Sequence, residues 1–580
     1  MIKPRKSVEK TPPYEYPAPF IGALSQYGIS KAKALKLDYN EPTIAPSRKV
    51  RDALKDYVKN GELQWYPDGD CEELRNCLAR YAGVKPENII VGNGSDEILK
   101  VICCAYISEG DEVIVPVPNY SMFIIDAKIC GAKIQEVPCN KELQFGMSPI
   151  IKAITKNTKA VYISNPNSPV GSVFSRKNII WLLDNCKNCI LIVDESYFEF
   201  YGESVCDLIG KHDNLIVTRT FSKAFSLASL RLGYAISNKE NIKILAKVKD
   251  PESVNALAQI AGIKALKDLN HMQKFVKEIL KSREYLSNEL RKLGLKVYDS
   301  KANFVLARFP DAFNAGRICK DLESKGIFLR DRSKIPLLEN CVRIGIPLFS
   351  DSGRLISEIK GTLSPLIVFD IDGVLADVSG SYIIAIKKTV EYFTARKISF
   401  DKIREYRNRG NLNNDWELTA AVIKDMGIAA GRKSIIKKFQ YFYGQLKNNE
   451  KWILSKKALV MLSKNYNLAI FTGRPRKEAE YVLRENGAID YFRIIIAMED
   501  SSKQKPNPEG LLKIMEGYGN RKAYYFGDTV DDMKAAASAG ITPIGVLPPQ
   551  DKSLQLKNLL IKNGAKCVIN DINKIMEAMQ

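Results

Sequence analysis

Histidine is nearly absent: His212 and His271 are the only two in 580 residues. Neither sits in a catalytic-looking motif, so histidine triads and histidine-rich metal centres are poor expectations. Long hydrophobic runs are also missing. No apolar stretch approaches the ~18 residues that cross a bilayer. The basic start Met1-Ile2-Lys3-Pro4-Arg5-Lys6 leads into no apolar segment of the kind a secretion signal needs. Internal repeats and low-complexity segments are lacking. Paired zinc-ligand spacings are lacking too, since Cys186-Lys-Asn-Cys189 stands alone between an amphipathic stretch and an apolar strand. These two thiols are expected to be buried or half-buried, and the adjacent Cys103 and Cys104 to be core. The 12 cysteines follow no secreted framework, which implies a reducing compartment and an expected cytoplasmic location.

Positive charge, by contrast, is in surplus. The 87 basic residues against 66 acidic ones give +21. They are scattered, with no long basic block and no RNA-binding signature, so a solvated basic surface is expected, with no specific nucleic acid and no membrane as partner. A positive field also suits small phosphorylated substrates. A length of 580 residues suggests about four lobes. Strand-like runs such as Glu112–Pro116, Lys159–Ser164 and Ile190–Asp194 alternate with helical patterns, which predicts an α/β architecture. The pattern resets near residue 360. Residues 1–360 are read as one enzyme, 361–365 as a linker and 366–580 as a second enzyme.

The first enzyme is anchored by Thr220-Phe-Ser222-Lys223, with Arg231 eight positions beyond the lysine. A lysine among small hydroxyls with a following guanidinium suits an aldehyde cofactor that carries a phosphate. The lysine forms the Schiff base, and the hydroxyls and arginine hold the phosphate. Asp194, at the end of an apolar strand, supplies a counter-charge for a pyridinium nitrogen. The turn Gly92-Asn-Gly-Ser95-Asp96 opens an apolar helix and offers free N–H groups to phosphate. Singly, each has a plain structural reading: a surface lysine, a loop-capping aspartate, a simple turn. In this order and spacing the plain reading becomes remote.

The second enzyme opens with Asp370-Ile-Asp372-Gly directly after an apolar strand. A loop beginning at Asp370 turns both carboxylates inward, one as nucleophile on phosphorus and the other as proton donor to the leaving group. Magnesium is expected, to let carboxylate approach phosphate, and Gly527-Asp528-Thr-Val-Asp531-Asp532 supplies further acid. Thr472 ends a third strand with a hydroxyl for a phosphate oxygen, and Lys505 neutralises developing charge. An isolated Asp-x-Asp is commonly a calcium-like or capping loop, but the ordered set of acid pair, threonine, lysine and acid cluster leaves that little room.

Over residues ~35–360 the chain resembles the histidinol-phosphate branch of the aspartate aminotransferase superfamily. The matching stretches include Asn40-Glu41, Tyr66-Pro67-Asp68, Gly92 to Glu97, Asn119-Tyr120, Asn165-Pro-Asn167-Ser-Pro169, Asp194 to Tyr197, the Lys223 segment, Ala302-Asn-Phe304, Arg330 and Arg343. Residues ~366–580 resemble the haloacid-dehalogenase phosphatases. The resemblances imply an aspartate-aminotransferase-like fold with large and small domains, followed by a Rossmann-like core with a helical cap at about 380–458. In the first enzyme they imply pyridoxal 5'-phosphate bound at Lys223, with Asp194 on its nitrogen, Tyr197 on its ring oxygen and Tyr120 stacked on the ring. Ser95, Asp96, Thr220, Ser222 and Arg231 would hold the phosphate. Tyr66 would reach it from a partner subunit, hence a homodimer. Asn40, Arg330 and Arg343 would bind substrate. Family members carry Asn-Asn-Pro-Thr-Gly where this chain has Ser168 and Val170, which leaves Asn167 to contact the cofactor oxygen. Asn40-Glu-Pro-Thr43 and Ser226 and Ser229 are further departures. In the second enzyme Asp370 would be the nucleophile and Asp372 the acid/base. Mg2+ would be held by Asp370, the Asp372 carbonyl and Asp528, with Asp532 in support. Asn413 to Trp416 is either a substrate-contacting cap loop or a helix N-cap with a buried Trp.

The expected function is therefore transamination of imidazole-acetol phosphate by a donor such as glutamate, then hydrolysis of histidinol phosphate to histidinol, within histidine biosynthesis. The alternative is an aminotransferase for aromatic or other amino acids fused to a phosphoglycolate-like phosphatase. A basic nucleic-acid-binding scaffold is the non-enzyme alternative, and the intact Lys223, Asp194, Asp370, Asp372 and Asp528 argue against it.

Overall fold

A computed structural model describes residues 2–12, 19–410, 414–518 and 522–579. The chain forms two compact units, Met1–Ile359 and Lys360–Gln580. Among the described residues no helix is long and apolar enough to cross a membrane.

The first unit is built on a seven-stranded sheet. Its spatial order is Ile89–Gly92, Gly233–Ile236, Leu215–Thr220, Ile190–Asp194, Thr158–Ser164, Glu112–Val117, Lys133–Pro138. Only Gly233–Ile236 runs antiparallel to its neighbours. The central strands are near-continuous Val, Ile and Leu and are buried, as expected where helices cover both sheet faces. Ser164 pairs with Asp194, and Asp194 with Thr218, so three parallel strands end side by side. That shared edge is where a mostly parallel sheet places its ligand. A smaller antiparallel sheet orders Arg330–Asp331, Cys341–Gly345, Phe304–Arg308 and Lys296–Val297. The 24-residue helix Leu269–Lys292 leads into it, burying Met272, Phe275, Val276 and Ile279 at helical spacing.

The helix Ser95–Tyr106 buries Ile98, Leu99, Val101, Ile102 and Cys103. Cys104, expected in the core, is exposed, because one further helical step of about 100° carries it off that face. Cys186 and Cys189 are both buried, and every one of the 12 cysteines is a free thiol. The helix Phe349–Leu363 takes in residues 361–363 of the expected linker.

The second unit has a six-stranded parallel sheet in the order Ile494–Ile496, Asn467–Phe471, Leu366–Phe369, Ala523–Gly527, Thr542–Val546, Cys567–Ile569. Among the described residues four α-helices lie between the short strands Ala376–Asp377 and Lys451–Trp452: Tyr382–Thr394, Phe400–Asn408, Asp415–Asp425 and Arg432–Leu446. They share their own core around Tyr382, Ile386, Leu418 and Phe439. The chain leaves and returns through the short antiparallel pair Ala376–Asp377 and Lys451–Trp452. Asn413 lies outside the described residues. Asn414 N-caps the helix Asp415–Asp425 by accepting from the Trp416 and Glu417 amides, and Trp416 is half-buried.

Candidate active sites

In the first unit the strand ends surround a cavity of about 580 Å³ lined by Ser95, Asp96, Tyr120, Asp194, Tyr197, Thr220, Ser222, Lys223 and Arg231. Lys223 follows Thr220 by three residues, and its Nζ donates to the Tyr39 carbonyl at 2.9 Å. Asp194 is buried. It accepts from the Tyr162 hydroxyl at 2.9 Å and from the Ser196 amide and hydroxyl at 3.0 and 2.6 Å. Burial raises its carboxyl above the ordinary range, although these hydrogen bonds oppose the shift. Burial also acts to raise the Tyr197 phenol. Lys223, Arg343 and hydrogen bonds from Asn40 and Ser168 outweigh it and hold the phenol below its usual value.

At the phosphate end Tyr120 donates to Asp96 at 2.7 Å, and Arg231 pairs with the other Asp96 oxygen at 2.7 Å. Gly94 has φ +88°, and a Cβ there would meet the Arg231 guanidinium at 2.6 Å. A Cβ on Gly233 would meet the Ser95 amide nitrogen at 2.3 Å. Both glycines therefore open room at the N-terminus of the helix Ser95–Tyr106, whose amides suit an anion. Hydroxyls, amides, a guanidinium, an amine and a buried carboxylate fit the phosphate, aldehyde and ring nitrogen of pyridoxal phosphate.

Other expected residues fall around this cavity. Asn40 donates to the Tyr197 hydroxyl at 3.0 Å. Arg343 donates to the Asp38 carbonyl at 2.7 Å and to Ser168 at 3.3 Å. Arg330 sits directly opposite Arg343 in the small sheet, its guanidinium 5.6 Å from the Tyr39 ring. Asn167 is not in the lining: its side chain donates to the Pro118 carbonyl and to Ser164 and accepts from the Val170 amide. Folding the turn consumes its amide, and Ser168 lines the cavity instead. Tyr66 is outside the lining and 88% exposed.

Sequence reasoning missed Tyr39, Tyr162 and the buried pair Arg219–Glu195 at 2.9 Å, which ties the residue after Asp194 to the residue before Thr220. The nearby Glu199 accepts from Tyr81 at 3.4 Å, and burial pushes its carboxyl up to about 7. The folded state thus takes up a proton that the unfolded chain has lost, and stability falls as pH rises from the ordinary carboxylate range through about 7. Glu199→Gln removes this dependence. Relative to the native chain, the variant is expected to gain a few degrees in melting temperature at pH 8 over pH 5. An equal difference at both values would contradict the assignment.

In the second unit Asp370 follows the strand Leu366–Phe369. Its Oδ1 accepts from the Ile371 amide at 2.7 Å, and its Oδ2 pairs with Lys505 at 3.2 Å. Lys505 also pairs with Asp532 at 2.8 Å. Carboxylate oxygens of Asp370, Asp528 and Asp532 lie within 4.8 Å of one another, all buried. Burial raises the Asp370 carboxyl to about 7; Lys505 opposes the shift, while Asp532 and Asp372 add to it. Three acids against one ammonium leave an excess of negative charge, and this oxygen-only donor set fits a hard divalent cation. A Cβ on Gly373 would strike Asp528 at 2.2 Å, so this glycine lets the motif loop close over the cluster. Thr472 is buried at the end of its strand, where its oxygen accepts from the Arg474 amide at 3.2 Å.

The Asp372 carboxylate lies outside this acid cluster. One of its oxygens accepts from Arg474 Nε at 2.6 Å and forms an ion pair with Nη2, also at 2.6 Å. Arg474 is fully buried and reaches Glu450 at 3.0 Å, which also accepts from Ser381 and Tyr443. Arg474 lies two residues beyond Thr472, and the sequence reading gave it no role. Arg474→Leu strands two acids in a buried site, a loss of about 3–5 kcal/mol in stability. Hydrolysis of an alkyl phosphate is expected to fall about 10²-fold, and that of p-nitrophenyl phosphate, whose leaving group needs no proton, only several-fold. Equal losses on both esters would show that Arg474 does not position Asp372.

Residues 32–353 match the family aminotransferase class I and II, and residues 367–546 match the haloacid dehalogenase-like hydrolases. The chain therefore belongs to the class I and II aminotransferases, which work with pyridoxal phosphate, and carries a haloacid dehalogenase-like hydrolase domain at its C-terminal end. It is 42% identical over 330 residues to a histidinol-phosphate aminotransferase of Thermoanaerobacter pseudethanolicus, covering 57% of this chain and 93% of that one. To the enzyme of the same name from Methanocaldococcus jannaschii it is 32% identical over 370 residues, covering 62% and 98%. The crystal structure of the histidinol-phosphate aminotransferase of Sinorhizobium meliloti, in complex with pyridoxal-5'-phosphate, shares the fold with a TM-score of 0.57 at 24% identity, covering 62% and 97%. That from Clostridium acetobutylicum gives 0.52 at 26%, covering 56% and 98%.

Proposed function

We propose that the chain is a bifunctional enzyme of histidine biosynthesis. Its first domain transfers an amino group from glutamate to imidazole-acetol phosphate, and its second hydrolyses the resulting histidinol phosphate to histidinol. The observation that carries this reading is the 42% identity, over nearly the whole relative, to a histidinol-phosphate aminotransferase. The hydrolase domain follows on the same chain, and its acids suit cleavage of a phosphate ester.

When bound, pyridoxal phosphate supplies the electron sink for transamination. Lys223 holds and moves the proton of the 1,3-shift at its Nζ. Asp194 would hold the charge on the ring nitrogen, with Tyr162 and Ser196 fixing the carboxylate. Tyr197, steadied by Asn40, would bind the ring oxygen, and Tyr120 the ring face. Ser95, Asp96, Thr220, Ser222 and Arg231 would bind the phosphate. Arg330 and Arg343 present paired guanidinium groups for the anionic ends of donor and acceptor. The 88% exposure of Tyr66 supports its service in a partner subunit's site, hence a homodimer.

In the hydrolase domain Asp370 attacks phosphorus, and the bond from phosphorus to the alcohol oxygen breaks as the new one forms. Asp372 gives its proton to the departing alkoxide. It then takes one from the water that cleaves the phosphoryl-aspartate and restores Asp370. Lys505 and Thr472 bind phosphate oxygens. Asp370, Asp528 and Asp532, with the Asp372 carbonyl, would hold Mg2+, which offsets the charge between carboxylate and phosphate. A chelator is therefore expected to abolish phosphate release and added Mg2+ to restore it, with transamination unchanged.

Acceptor choice tests the first activity. With pyridoxal phosphate and glutamate present, kcat/KM for imidazole-acetol phosphate should exceed that for phenylpyruvate by at least about 10²-fold. The reverse preference would favour the aromatic-aminotransferase reading.

A further inference from the structure

The pair Cys186 and Cys189 takes no part in either reaction. The helix Arg176–Asn185 ends at Cys186, whose amide donates to the Leu182 carbonyl at 2.8 Å. The chain then turns at once into the strand Ile190–Asp194, the Cys189 amide donating to the Cys186 carbonyl at 3.0 Å. A four-residue turn closed in this way holds its end Cα atoms within ~7 Å, and a disulfide spans ~4.4–6.8 Å. The Cys189 sulfur lies 3.4 Å from the Cys186 carbonyl oxygen, so its side chain folds back toward the first cysteine. Asn214 fixes the turn by donating to both cysteine carbonyls, at 2.8 and 3.2 Å. A hydrogen bond between the two thiols holds Cys189 below the ordinary thiol range and Cys186 above it.

Both cysteines are buried, yet Cys189 forms part of the wall of a cavity of about 560 Å³. The strands Thr158–Ser164, Ile190–Asp194 and Leu215–Thr220 begin around this cavity, at the edge of the sheet opposite the Lys223 site. Its rim carries Lys159, Lys187 and Lys211 with Asp184 and Asp213, all exposed. Among the described residues none of the three lysines is held in an ion pair. Ammonium groups in excess of carboxylates, with both signs present, suit a ligand that carries carboxylates and an amine. The volume falls within the ~300–1,000 Å³ of small-molecule sites.

We propose that Cys186 and Cys189 are a redox-active dithiol that exchanges with a small disulfide of the amino-acid or peptide class, held in this cavity by its carboxylates. The Cys189 thiolate attacks one sulfur of the external disulfide, whose S–S bond breaks to release one thiolate. Cys186 then attacks the Cys189 sulfur of the mixed disulfide and releases the second thiolate. The two protein thiols are oxidised, the external disulfide is reduced to two thiols, and the two protein protons pass to the departing thiolates. Asp194 stands at the other end of the five-residue strand, ~16 Å away, so exchange should leave transamination unchanged.

The test treats the full reduced chain, freed of reductant, with glutathione disulfide and maps every cysteine by alkylation and peptide mass. The peptide carrying Cys186 and Cys189 should lose about 2 Da, and dithiothreitol should restore it. Cys186→Ser should stop at a glutathione adduct on Cys189. Normalised to reaction at the exposed Cys104, glutathione disulfide should react at the pair about tenfold faster than uncharged hydroxyethyl disulfide. Lys187→Glu together with Lys211→Glu should reduce that ratio to about twofold. Should Cys186→Ser not fold, the native peptide mass and the rate ratio decide alone. Full alkylation of Cys186 and Cys189 after Cys104 has formed its adduct would overturn the dithiol. Equal normalised rates with the two disulfides would overturn the cavity as the place where the external disulfide binds.

Discussion

Lys223→Ala is expected to lower transamination by about 10⁴-fold, the upper end for a lost proton carrier, and to leave phosphate release within about twofold of the native chain. The reason is local. Lys223 Nζ is an amine in the cavity bounded by Asp194, Tyr197 and the phosphate cradle, and its hydrogen bond there is to the Tyr39 carbonyl. Alanine removes the proton carrier and leaves the cradle at Ser95, Thr220, Ser222 and Arg231 in place. The variant should still take up pyridoxal phosphate but lose it more readily on dialysis. The measurement is glutamate-dependent amino transfer, with cofactor retention read alongside. Transfer persisting within tenfold of the native rate would remove Lys223 from the chemistry.

Asp370→Asn is expected to reduce phosphate release by about 10⁵-fold or more, the scale of losing a nucleophile, with transamination unchanged. Asparagine keeps the volume of the side chain but not its anionic oxygen. Lys505 keeps its 2.8 Å partner Asp532, and the crowding of buried acids that raises Asp370 is relieved. The fold should survive, which a melting temperature within a few degrees of the native chain would show. A variant that melts normally and still releases phosphate at a tenth of the native rate would exclude Asp370 as the nucleophile.

Much of both sites was legible because the chemistry is local in sequence. Thr220, Ser222 and Lys223 lie within four residues at the end of one strand, and Asp370 and Asp372 directly follow another, so short motifs carry much of the chemistry. What stayed hidden depends on partners far along the chain. Arg474 lies 102 residues from Asp372 and 24 from Glu450, and no local pattern joins the three. Tyr162 reads as one more apolar strand position, yet its hydroxyl fixes Asp194 from 32 residues away. The partners of Asn167 were hidden too: the turn commits its side-chain amide to Pro118, Ser164 and Val170.

The central claim is that two consecutive reactions are carried by this chain. It is tested most directly by giving the full chain imidazole-acetol phosphate, glutamate, pyridoxal phosphate and Mg2+ and measuring inorganic phosphate and histidinol together. The account predicts equimolar phosphate and histidinol. In Lys223→Ala both should disappear and return when histidinol phosphate is supplied. In Asp370→Asn histidinol phosphate should accumulate instead. Histidinol phosphate accumulating with the native chain, while a generic phosphate ester is hydrolysed, would contradict it.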